Sequence, residues 1–530
     1  MSRVDSCTDP VASADPAPSA PEATRVALPQ WLGWVLCGVA LLGFAAAEIA
    51  WLRSPSIVTD WNGWRQVDTQ SIALDFAATG HSIFFPSVRW GGAGPGYVES
   101  ELALYPYLLS WLLRWFGAQE VVGAVLSTGL VVGAGTVLFA TMRRLYGIEA
   151  ALGSVLTLLC SRAVIFTANS VQPEALSLFL ATLALAALVR WRETPTRLGW
   201  LAAYAVAITL ACLSKPTAGV VLASGVVVSL LDPRLRPRWR TTMAVHLAIV
   251  LVGIAYLLHA RGLFQAYGNT FGLLSGGDRK TPLPEHLLHP GLFLAAARVD
   301  LTWGIGWVGF VALLVQLQRR RLPDLLLVGL LVGQAAWLVA SLRYSMNSLF
   351  GSHYHLFGGV VAAWAVGTTL ADGPTSRRLH RLLVLLLLAV GLGQGALAFG
   401  ARRRAARNDP NGDPIFVIGE RLRAVAAPGD RVIVRSRAGE YEPAWKTRNN
   451  YEDPSVFYVA GVRGWVLPID AVDPDRIVRW RAEGARFFVD PVTADLPDPI
   501  ARWLDKNATC VVTSPAGSVW QLRSSGSVSH

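Results

Sequence analysis

The sequence has little charge and few of the residues that build metal or disulfide sites. Charged side chains make up 16% of its 530 residues, against roughly 25% in soluble domains, which excludes an ordinary soluble globular protein. Only five cysteines occur and none forms a CxxC pair, so a metal knuckle and a disulfide framework are both excluded. Neither a GxGxxG motif nor a P-loop follows any predicted strand, and nucleotide binding therefore has no support.

Apolar runs long enough to cross a bilayer take up most of the chain. Hydrophobic residues make up 53% of it, the mean hydropathy is +0.41, and such runs recur from Gln30 to Phe399. We therefore predict a polytopic α-helical membrane protein with about eleven transmembrane helices. The predicted spans are residues 31–52, 120–141, 148–168, 172–190, 197–213, 216–231, 241–259, 302–317, 323–342, 353–371 and 379–399.

The net charge of +11 is placed between the spans. Arginine clusters in alternate connections are typical of cytoplasmic loops under the positive-inside rule, so a nucleic acid partner is not expected. The clusters are Arg143 and Arg144; Arg190, Arg192 and Arg197; Arg234, Arg236, Arg238 and Arg240; Arg319 to Arg321; and Arg377, Arg378 and Arg381.

Counting from these loops puts the N-terminus inside and the C-terminus outside. The loops 53–119 and 260–301 and the short connections near Ser170, Lys215 and Arg343 are then also outside. The first outer loop should hold interfacial helices at Trp64–Ala78 and Leu102–Phe116, since the second is rich in aromatic residues. One cluster disagrees, because Arg402 and its neighbours directly follow the last span on the side predicted to be outside.

The composition divides the chain into three parts. Residues 1–29 are rich in Pro, Ala and Ser and predict a disordered cytoplasmic tail. Residues 30–400 are the predicted transmembrane domain, in a bacterial plasma membrane. Residues 408–530 alternate β-branched runs with helical segments, which predicts a small extracytoplasmic α/β domain.

The first outer loop carries the densest set of candidate functional groups. Asp60, Arg65 and Asp68 stand beside two tryptophans at a predicted membrane boundary, where ionisable side chains are more often functional than incidental. Arg65 and Asp68 could equally form a plain surface ion pair, which contributes little to stability. Further along the same loop lie Glu99, a further candidate catalytic acid, and Arg89 and Glu101, which with Arg65 are candidate substrate-binding residues.

A second set of candidates stands at the other predicted outer connections. Glu174 opens a span, where the helix dipole favours its anion, although a purely structural helix-capping acid has the same pattern. Lys215 breaks an apolar stretch and is interpreted as an anion-binding group or as a snorkelling lysine. Arg343, His353 and Tyr354 occupy the last such connection, and a phosphate is a better partner for them than zinc.

Carboxylates and cations on one membrane face suit the transfer of a sugar from a lipid phosphate. The acceptor hydroxyl needs a general base, which a loop aspartate can supply. The departing lipid phosphate needs cations for its developing charge. No cofactor is predicted, and a divalent metal is compatible with these acids but supported by no ligand set.

At these residues the chain resembles glycosyltransferase superfamily C, and within it family 39, the branch of lipid A aminoarabinose transferases and protein O-mannosyltransferases. The resemblance rests on Trp64–Thr69, Glu99–Glu101 with Tyr105-Pro-Tyr, Pro173-Glu174, Ser214-Lys-Pro and His353-Tyr-His. It implies a polyprenyl-phosphate-linked sugar donor and an extracytoplasmic lipid, glycan or protein acceptor. It also implies that Asp68 is the catalytic base and that Glu174 assists.

The chain departs from that family in one respect that matters for the base. Its first outer loop has no adjacent pair of acids, so Asp60 or Glu99 could share the role that the resemblance implies for Asp68. The alternative function is a transporter or flippase of a lipid-linked or anionic solute. Transporters place their ionisable groups at the bilayer midplane, whereas here the groups stand in predicted outer loops, which favours the enzyme.

Overall fold

A computed structural model describes residues 29–276, 281–318, 324–348, 351–372, 377–427, 429–491 and 496–523. The predicted tail, residues 1–29, lies outside the described residues except for Pro29. The helices before residue 406 are α1 (Gln30–Ala50), α2 (Gly63–Thr79), α3 (Leu104–Phe116), α4 (Glu120–Tyr146), α5 (Ile148–Leu159), α6 (Arg162–Ala168), α7 (Glu174–Glu193), α8 (Leu198–Ser214), α9 (Gly219–Leu231), α10 (Trp239–Tyr267), α11 (Pro284–Leu287), α12 (Pro290–Trp303), α13 (Gly306–Gln318), α14 (Leu325–Ala340), α15 (Leu342–Ser345), α16 (Leu356–Ala371) and α17 (Arg377–Ala405).

Among the described residues, six helices are long and apolar enough to cross a membrane, and two bent pairs raise that number to as many as eight. The bent pairs are α5 with α6, at 67°, and α12 with α13, at 105°. Three shorter apolar helices, Leu198–Ser214, Pro216–Leu231 and Leu325–Ala340, overlap the remaining predicted spans. The membrane class therefore agrees with the sequence, while the count of eleven stays a prediction.

Small residues let the apolar helices pack closely. A side chain at Gly329 of α14 would lie 2.5 Å from the Cα of Ser224 in α9, and one at Gly333 would lie 2.5 Å from the carbonyl oxygen of Val220. Glycine at such positions allows two helix backbones to approach each other, which is how helices associate in a bilayer. The largest buried cluster runs through these helices and includes Trp191 and Trp364.

The first outer loop folds into α2, the short strand β1 (Val98–Glu99) and α3. The helices lie close to the predicted ranges 64–78 and 102–116. Tyr105, Leu109 and Leu113 are buried on one face of α3, whereas Trp111 and Trp115 are 47% and 76% exposed on another. That division suits a helix lying at a membrane surface, which stays a prediction.

Strand β1 pairs in parallel with β2 (Asn269–Thr270), which follows α10 and thereby joins the two predicted outer loops. Residues 413–523 form the later strands and helices. They are α18 (Pro414–Val425), β3 (Arg431–Arg435), β4 (Tyr441–Glu442), β5 (Thr447–Arg448), α19 (Ser455–Ala460), β6 (Arg463–Leu467), α20 (Asp475–Ala482), β7 (Ala485–Asp490), α21 (Asp498–Asn507), β8 (Ala508–Ser514) and β9 (Gly517–Leu522).

A five-stranded sheet organises this C-terminal part, in the order β6-β3-β7-β9-β8. Strand β3 is parallel to β6 and β7, and β9 is antiparallel to β7 and β8. The edge strand β6 meets the first outer loop, because Gly92 N donates to Gly464 O (2.8 Å) and Gly464 N donates to Arg89 O (2.9 Å). The sheet and the first outer loop therefore lie on one side of the helices. Whether residues 408–530 form an independent domain stays a prediction.

Arg402, the residue whose cluster disagreed with the predicted topology, is fully buried at the end of α17. Its guanidinium pairs with both carboxylate oxygens of Asp60 and donates through Nε to Asn169 Oδ1 (3.2 Å). This buried arginine is held in place by its ion pair with a carboxylate of the first outer loop, which is a tertiary contact. It is therefore a poor marker of a cytoplasmic loop.

Candidate functional site

Helix α2 presents the candidate residues of the first outer loop. It starts at Gly63, where a Cβ would lie 2.3 Å from Val58 O and 2.7 Å from Ile57 O, so that only glycine fits. It ends at Gly80, whose φ of +68° suits a left-handed helix cap. Arg65 and Asp68 are three residues apart on this helix and therefore neighbours on its surface.

Arg65 begins a chain of alternating charges that joins four separate segments. Its Nη2 lies 3.1 Å from Glu174 Oε1, at the first residue of α7. Lys215 Nζ lies 3.6 Å from the same oxygen and 2.6 Å from Glu101 Oε1. Burial alone would lower the pKa of Arg65, but the Glu174 carboxylate opposes this and the net pKa is raised. The structure thus brings together Arg65, Glu101, Glu174 and Lys215, and it pairs Lys215 with acids.

His353 closes the other end of this chain. Arg65 Nη1 lies 2.6 Å from His353 Nε2, and because arginine only donates, that ring nitrogen accepts the bond. Tyr354 stacks on Tyr344 with ring centroids 5.4 Å apart, and the guanidinium of Arg343 lies 5.4 Å from the Tyr344 ring. Tyr354, Tyr344 and Arg343 therefore lie at the same end of the charge chain as His353.

Asp68 lies in a drier environment than its neighbours. It is 4% exposed, accepts a hydrogen bond from Trp90 Nε1 at Oδ1 (3.1 Å), and has no partner at Oδ2 among the described residues. Burial raises the pKa of Asp68 well above its usual range, and the Trp90 N–H lowers it in part. The carboxylates of Asp453 and Glu452 add to the rise. Asp68 is therefore a carboxyl group whose affinity for a proton is increased.

A cavity of about 350 Å³ opens beside the start of α2. Its wall includes Trp64, one helical turn before Asp68, together with Trp61 and Asn62. The Nε1 of Trp61 and the Nδ2 of Asn62 donate no hydrogen bond within the described part of the chain. The cavity is also lined by Arg437 and Asp453 from the C-terminal residues, which form an ion pair at 3.5 Å. Aromatic faces and unpaired donors at this size suit a polar ligand.

Two acids that were expected to be able to share the role of Asp68 are held by other partners. Asp60 is bound by Arg402 and also accepts from Gln66 Nε2 (3.0 Å). Glu99 is fully buried and accepts from Thr270 Oγ1 (2.6 Å) and from the backbone N–H of Leu274 and Ser275. The carboxylate of Asp60 holds the first outer loop to α17, and that of Glu99 holds it to β2 and the segment after it. The geometry therefore favours a structural role for both acids.

Arg89, a candidate substrate-binding residue, faces the C-terminal residues. Its guanidinium donates to Phe457 O (3.4 Å) and lies 6.0 Å from the ring of Tyr458. Burial lowers the pKa of Arg89 from its usual value. The structure therefore places Arg89 at the contact between the first outer loop and α19.

Several residues around Asp68 were not predicted from the sequence. Trp90 binds its carboxylate, and Glu452 and Asp453 raise its pKa from more than 380 positions away in the chain. Gln66, fully buried, accepts from Val171 N (2.8 Å) and so ties α2 to the segment before Glu174. Only Trp90 left a signal, since it is an aromatic donor in the same loop as the candidate base. Among the described residues, no group of three or more His, Cys, Asp or Glu is placed to hold a metal.

Comparison with known proteins identifies the fold. Residues 103–259 match the family of dolichyl-phosphate-mannose-protein mannosyltransferases, which covers less than a third of the chain. No curated protein sequence matches significantly.

Solved structures cover far more of the chain than this family match. ArnT from Cupriavidus metallidurans superposes with a TM-score of 0.56 at 15% identity, over 93% of this chain and 98% of ArnT. The oligosaccharyltransferase of Archaeoglobus fulgidus gives 0.54 at 12% identity, over 92% and 73% of the two chains. Arabinofuranosyltransferase AftD from Mycobacteria gives 0.52 at 16% identity, over 94% and 40%. At such identities the likeness shows the fold alone. The match of residues 103–259 to the mannosyltransferase family, taken with that fold, agrees with the resemblance to glycosyltransferase superfamily C.

Proposed function

We propose that this protein is a membrane glycosyltransferase that moves a sugar from a polyprenyl-phosphate carrier to an extracytoplasmic acceptor, with Asp68 as general base. The observation that carries this proposal is the position of Asp68, a buried carboxyl group with a raised pKa, one helical turn from Arg65 on α2. Arg65 begins the chain of alternating charges that reaches Lys215. Two structures of this fold support the donor class. They are ArnT bound to undecaprenyl phosphate and the archaeal oligosaccharyltransferase AglB with an inhibitory peptide and a dolichol-phosphate.

In the proposed reaction Asp68 takes the proton of the acceptor hydroxyl. The acceptor oxygen attacks the anomeric carbon, and the bond from that carbon to the phosphate oxygen breaks, leaving its electron pair on the lipid phosphate. The oxygen of Asp68 with no partner among the described residues, Oδ2, is the one available for the proton. A single base and a direct displacement invert the configuration at the anomeric carbon.

Lys215, Arg65 and Arg343 are the proposed partners of the phosphate. In the structure Lys215 and Arg65 are bound to Glu101 and Glu174, so these carboxylates hold the cations in position before the donor arrives. An incoming phosphate would take over contacts from Glu101, whose side chain is 19% exposed, more readily than from fully buried Glu174. Glu174 would keep Arg65 and Lys215 in place through the reaction.

We place the protein in the bacterial plasma membrane. Deletion of its gene in the source organism tests the proposed function. Mass spectrometry of polyprenyl lipids and envelope glycans should show one sugar-bearing polyprenyl phosphate accumulating and the same sugar missing from an envelope component. Complementation with the wild-type gene should restore both. Unchanged lipid and glycan profiles would contradict the proposed function.

A further inference from the structure

A second cavity of about 350 Å³ lies on the same side of the molecule as Asp68. The glycine-rich segment Gly91–Gly96 forms its floor, and the rest of the wall comes from the end of α10, β2 and the sheet edge. The lining side chains that matter are Trp90, Tyr267, Asn269, Trp465 and Glu483. Four segments distant in the chain, the last of them the residue that follows α20, therefore build one concave surface, which we name the tryptophan–glycine cavity.

The groups lining this cavity combine aromatic faces with hydroxyl-binding atoms. Trp465 donates no hydrogen bond from its indole N–H to any described residue. Asn269 uses its amide N–H to bond Tyr97 O (3.1 Å), which leaves the amide oxygen as an acceptor. Glu483 is exposed and adds a carboxylate. A sugar ring offers apolar C–H faces for stacking and hydroxyls that both donate and accept.

The glycines keep the floor of the cavity open. A Cβ at Gly92 would lie 2.7 Å from Trp465 Nε1, and one at Gly91 would lie 2.9 Å from Asn269 Nδ2. Gly92 and Gly96 also have φ values of +77° and +74°, which favour glycine. This explains a glycine run that precedes no phosphate-binding helix. Its side-chain-free backbone gives access to Trp465 and Asn269.

The local charge favours a neutral ligand. Of the described residues that line the cavity, Glu483 alone carries a charged side chain. Arg431 at the rim donates to the carbonyl oxygens of Glu483 (2.9 Å) and Ala93 (3.4 Å). One acid and one nearby arginine leave no cationic excess for a phosphate group. The cavity therefore differs from the Arg65–Lys215 cluster, which would hold an anion.

Trp90 connects this cavity to the proposed base. It is one of the residues that line the cavity, and its Nε1 donates to Asp68 Oδ1 (3.1 Å). A ligand stacked in the cavity would lie against a side chain that holds the base. Trp90 therefore links the second cavity directly to the carboxyl group of Asp68.

We propose that the tryptophan–glycine cavity is the binding subsite for a neutral saccharide portion of the acceptor, an inference that rests on the proposed function for its role as acceptor site. The test uses the full-length protein in detergent, without any donor, and saturation-transfer NMR. The probes are linear trisaccharides of glucose, mannose, galactose and arabinose. A nonapeptide and phosphatidylglycerol vesicles represent the rival ligand classes.

The blocking variant is Gly94→Trp, and the control is Gly291→Trp. Both glycines are exposed and have φ outside the left-handed region, and a Cβ added at either would meet no atom within 4 Å, so each tolerates a large side chain. A second variant, Trp465→Phe, keeps the ring that stacks on Trp480 but loses the indole donor. Thermal unfolding checks that each variant is folded.

We expect at least one trisaccharide to bind the wild type and the control equally, and Gly94→Trp to weaken that binding at least about tenfold. Trp465→Phe should weaken it by a smaller factor. If no saccharide binds, if Gly94→Trp binds as the wild type does, or if only peptide or vesicle binding responds to it, the inference is wrong. The NMR test contains no donor and therefore measures saccharide binding alone. If the protein binds saccharide in this test but transfers no sugar in a separate assay with donor, the proposed function is contradicted and the binding subsite is not.

Discussion

Asp68 is a carboxyl group that its surroundings keep partly out of water. Its pKa is raised chiefly by burial, and the hydrogen bond from Trp90 acts in the opposite direction. A general base works best when its pKa approaches the working pH, because it must be ionised and still bind a proton strongly. Burial in the first outer loop therefore gives Asp68 a higher pKa, and so a stronger affinity for a proton, than an exposed aspartate has.

Replacing Trp90 by phenylalanine should move the pH dependence of sugar transfer. Transfer needs the ionised form of Asp68, so the rate rises with pH through the pKa of that residue. Without the indole N–H the pKa of Asp68 rises further, and the acidic limb of the pH–rate profile should shift to higher pH. Trp111→Phe, at an exposed position on α3, is the matched control and should leave the limb in place. If the acidic limb of the pH–rate profile were the same in Trp90→Phe and in the wild type, the proposed effect of the Trp90 hydrogen bond on the pKa of the base would be excluded.

Lys215 should contribute to donor binding. Losing a charge-assisted hydrogen bond costs about 1.5–3 kcal/mol, so Lys215→Ala should weaken binding of a polyprenyl phosphate by about ten- to a hundredfold. Lys215→Arg should keep more of the affinity, and Lys506→Ala, which changes an exposed residue of α21, should keep all of it. The measurement is titration of the purified variants with undecaprenyl phosphate. Equal affinities of Lys215→Ala and wild type would exclude the phosphate role.

The sequence predicted which side chains lie near one another better than it predicted their contacts. Arg65, Glu174, Lys215 and His353 were assigned to a common face by counting spans, and the structure joins them. Hydropathy gives depth and sidedness but no lateral position. The partners of Asp60 could therefore not be foreseen, since Arg402 is 342 residues away.

At the level of elements, α2 is fastened to the end of α17. Arg402 contributes a guanidinium that is completely buried and binds Asp60 just before α2 and Asn169 just after α6. Asn169 continues to Glu48 at the end of α1 through a bond of 2.9 Å to Oε2. Three apolar helices and the first outer loop therefore meet at one polar cluster.

Removing Arg402 should loosen this junction. Breaking a buried ion pair by deleting one partner costs about 3–5 kcal/mol, so Arg402→Met should lower the thermal unfolding temperature of the detergent-solubilised protein by several degrees. Arg403→Met changes the exposed neighbour in the same helix and should have almost no effect. Equal unfolding temperatures of the two variants would show that the buried pair contributes nothing to stability.

Long apolar helices were readily predicted, and their interruptions were not. The break between α5 and α6 falls at Cys160-Ser161, within one predicted span, since hydropathy alone indicates a single straight helix over 148–168. Helix α12 lies in the stretch predicted as an outer loop, and a 105° bend at Gly304-Ile305 separates it from α13. Such bends are determined by packing. At Gly304, for example, a Cβ would lie 2.7 Å from His355 O.

At the scale of the whole molecule, the C-terminal sheet and the first outer loop form one layer over the helices. Backbone bonds between Gly92 and Gly464 and an ion pair of 2.5 Å between Arg463 and Asp75 join them. The acids near Asp68 and one wall of each cavity come from the same C-terminal residues. The sequence indicated an α/β composition there, but no local pattern indicated that these residues complete the site.

This arrangement predicts where the C-terminal residues stand relative to the membrane. Cys510 is exposed, whereas Cys37 is buried, so a membrane-impermeant maleimide should label Cys510 in intact cells. Cys510→Ser should lose that label, and Cys7, in the predicted cytoplasmic tail, should react only after permeabilisation. Labelling of Cys510 that required permeabilisation would place the sheet and the proposed site in the cytoplasm, contrary to the predicted topology.

The most direct test of the proposed chemistry is sugar transfer by purified wild-type and Asp68→Asn proteins in liposomes that contain the polyprenyl-phosphate sugar found to accumulate in the deletion strain. Asparagine preserves the size of the side chain and the acceptor for Trp90 but cannot take a proton. The predicted result is a loss of transfer of about 10²–10⁴-fold, with donor binding and unfolding temperature close to wild type. Transfer by Asp68→Asn at a rate near that of the wild type would contradict the assignment of Asp68 as the base.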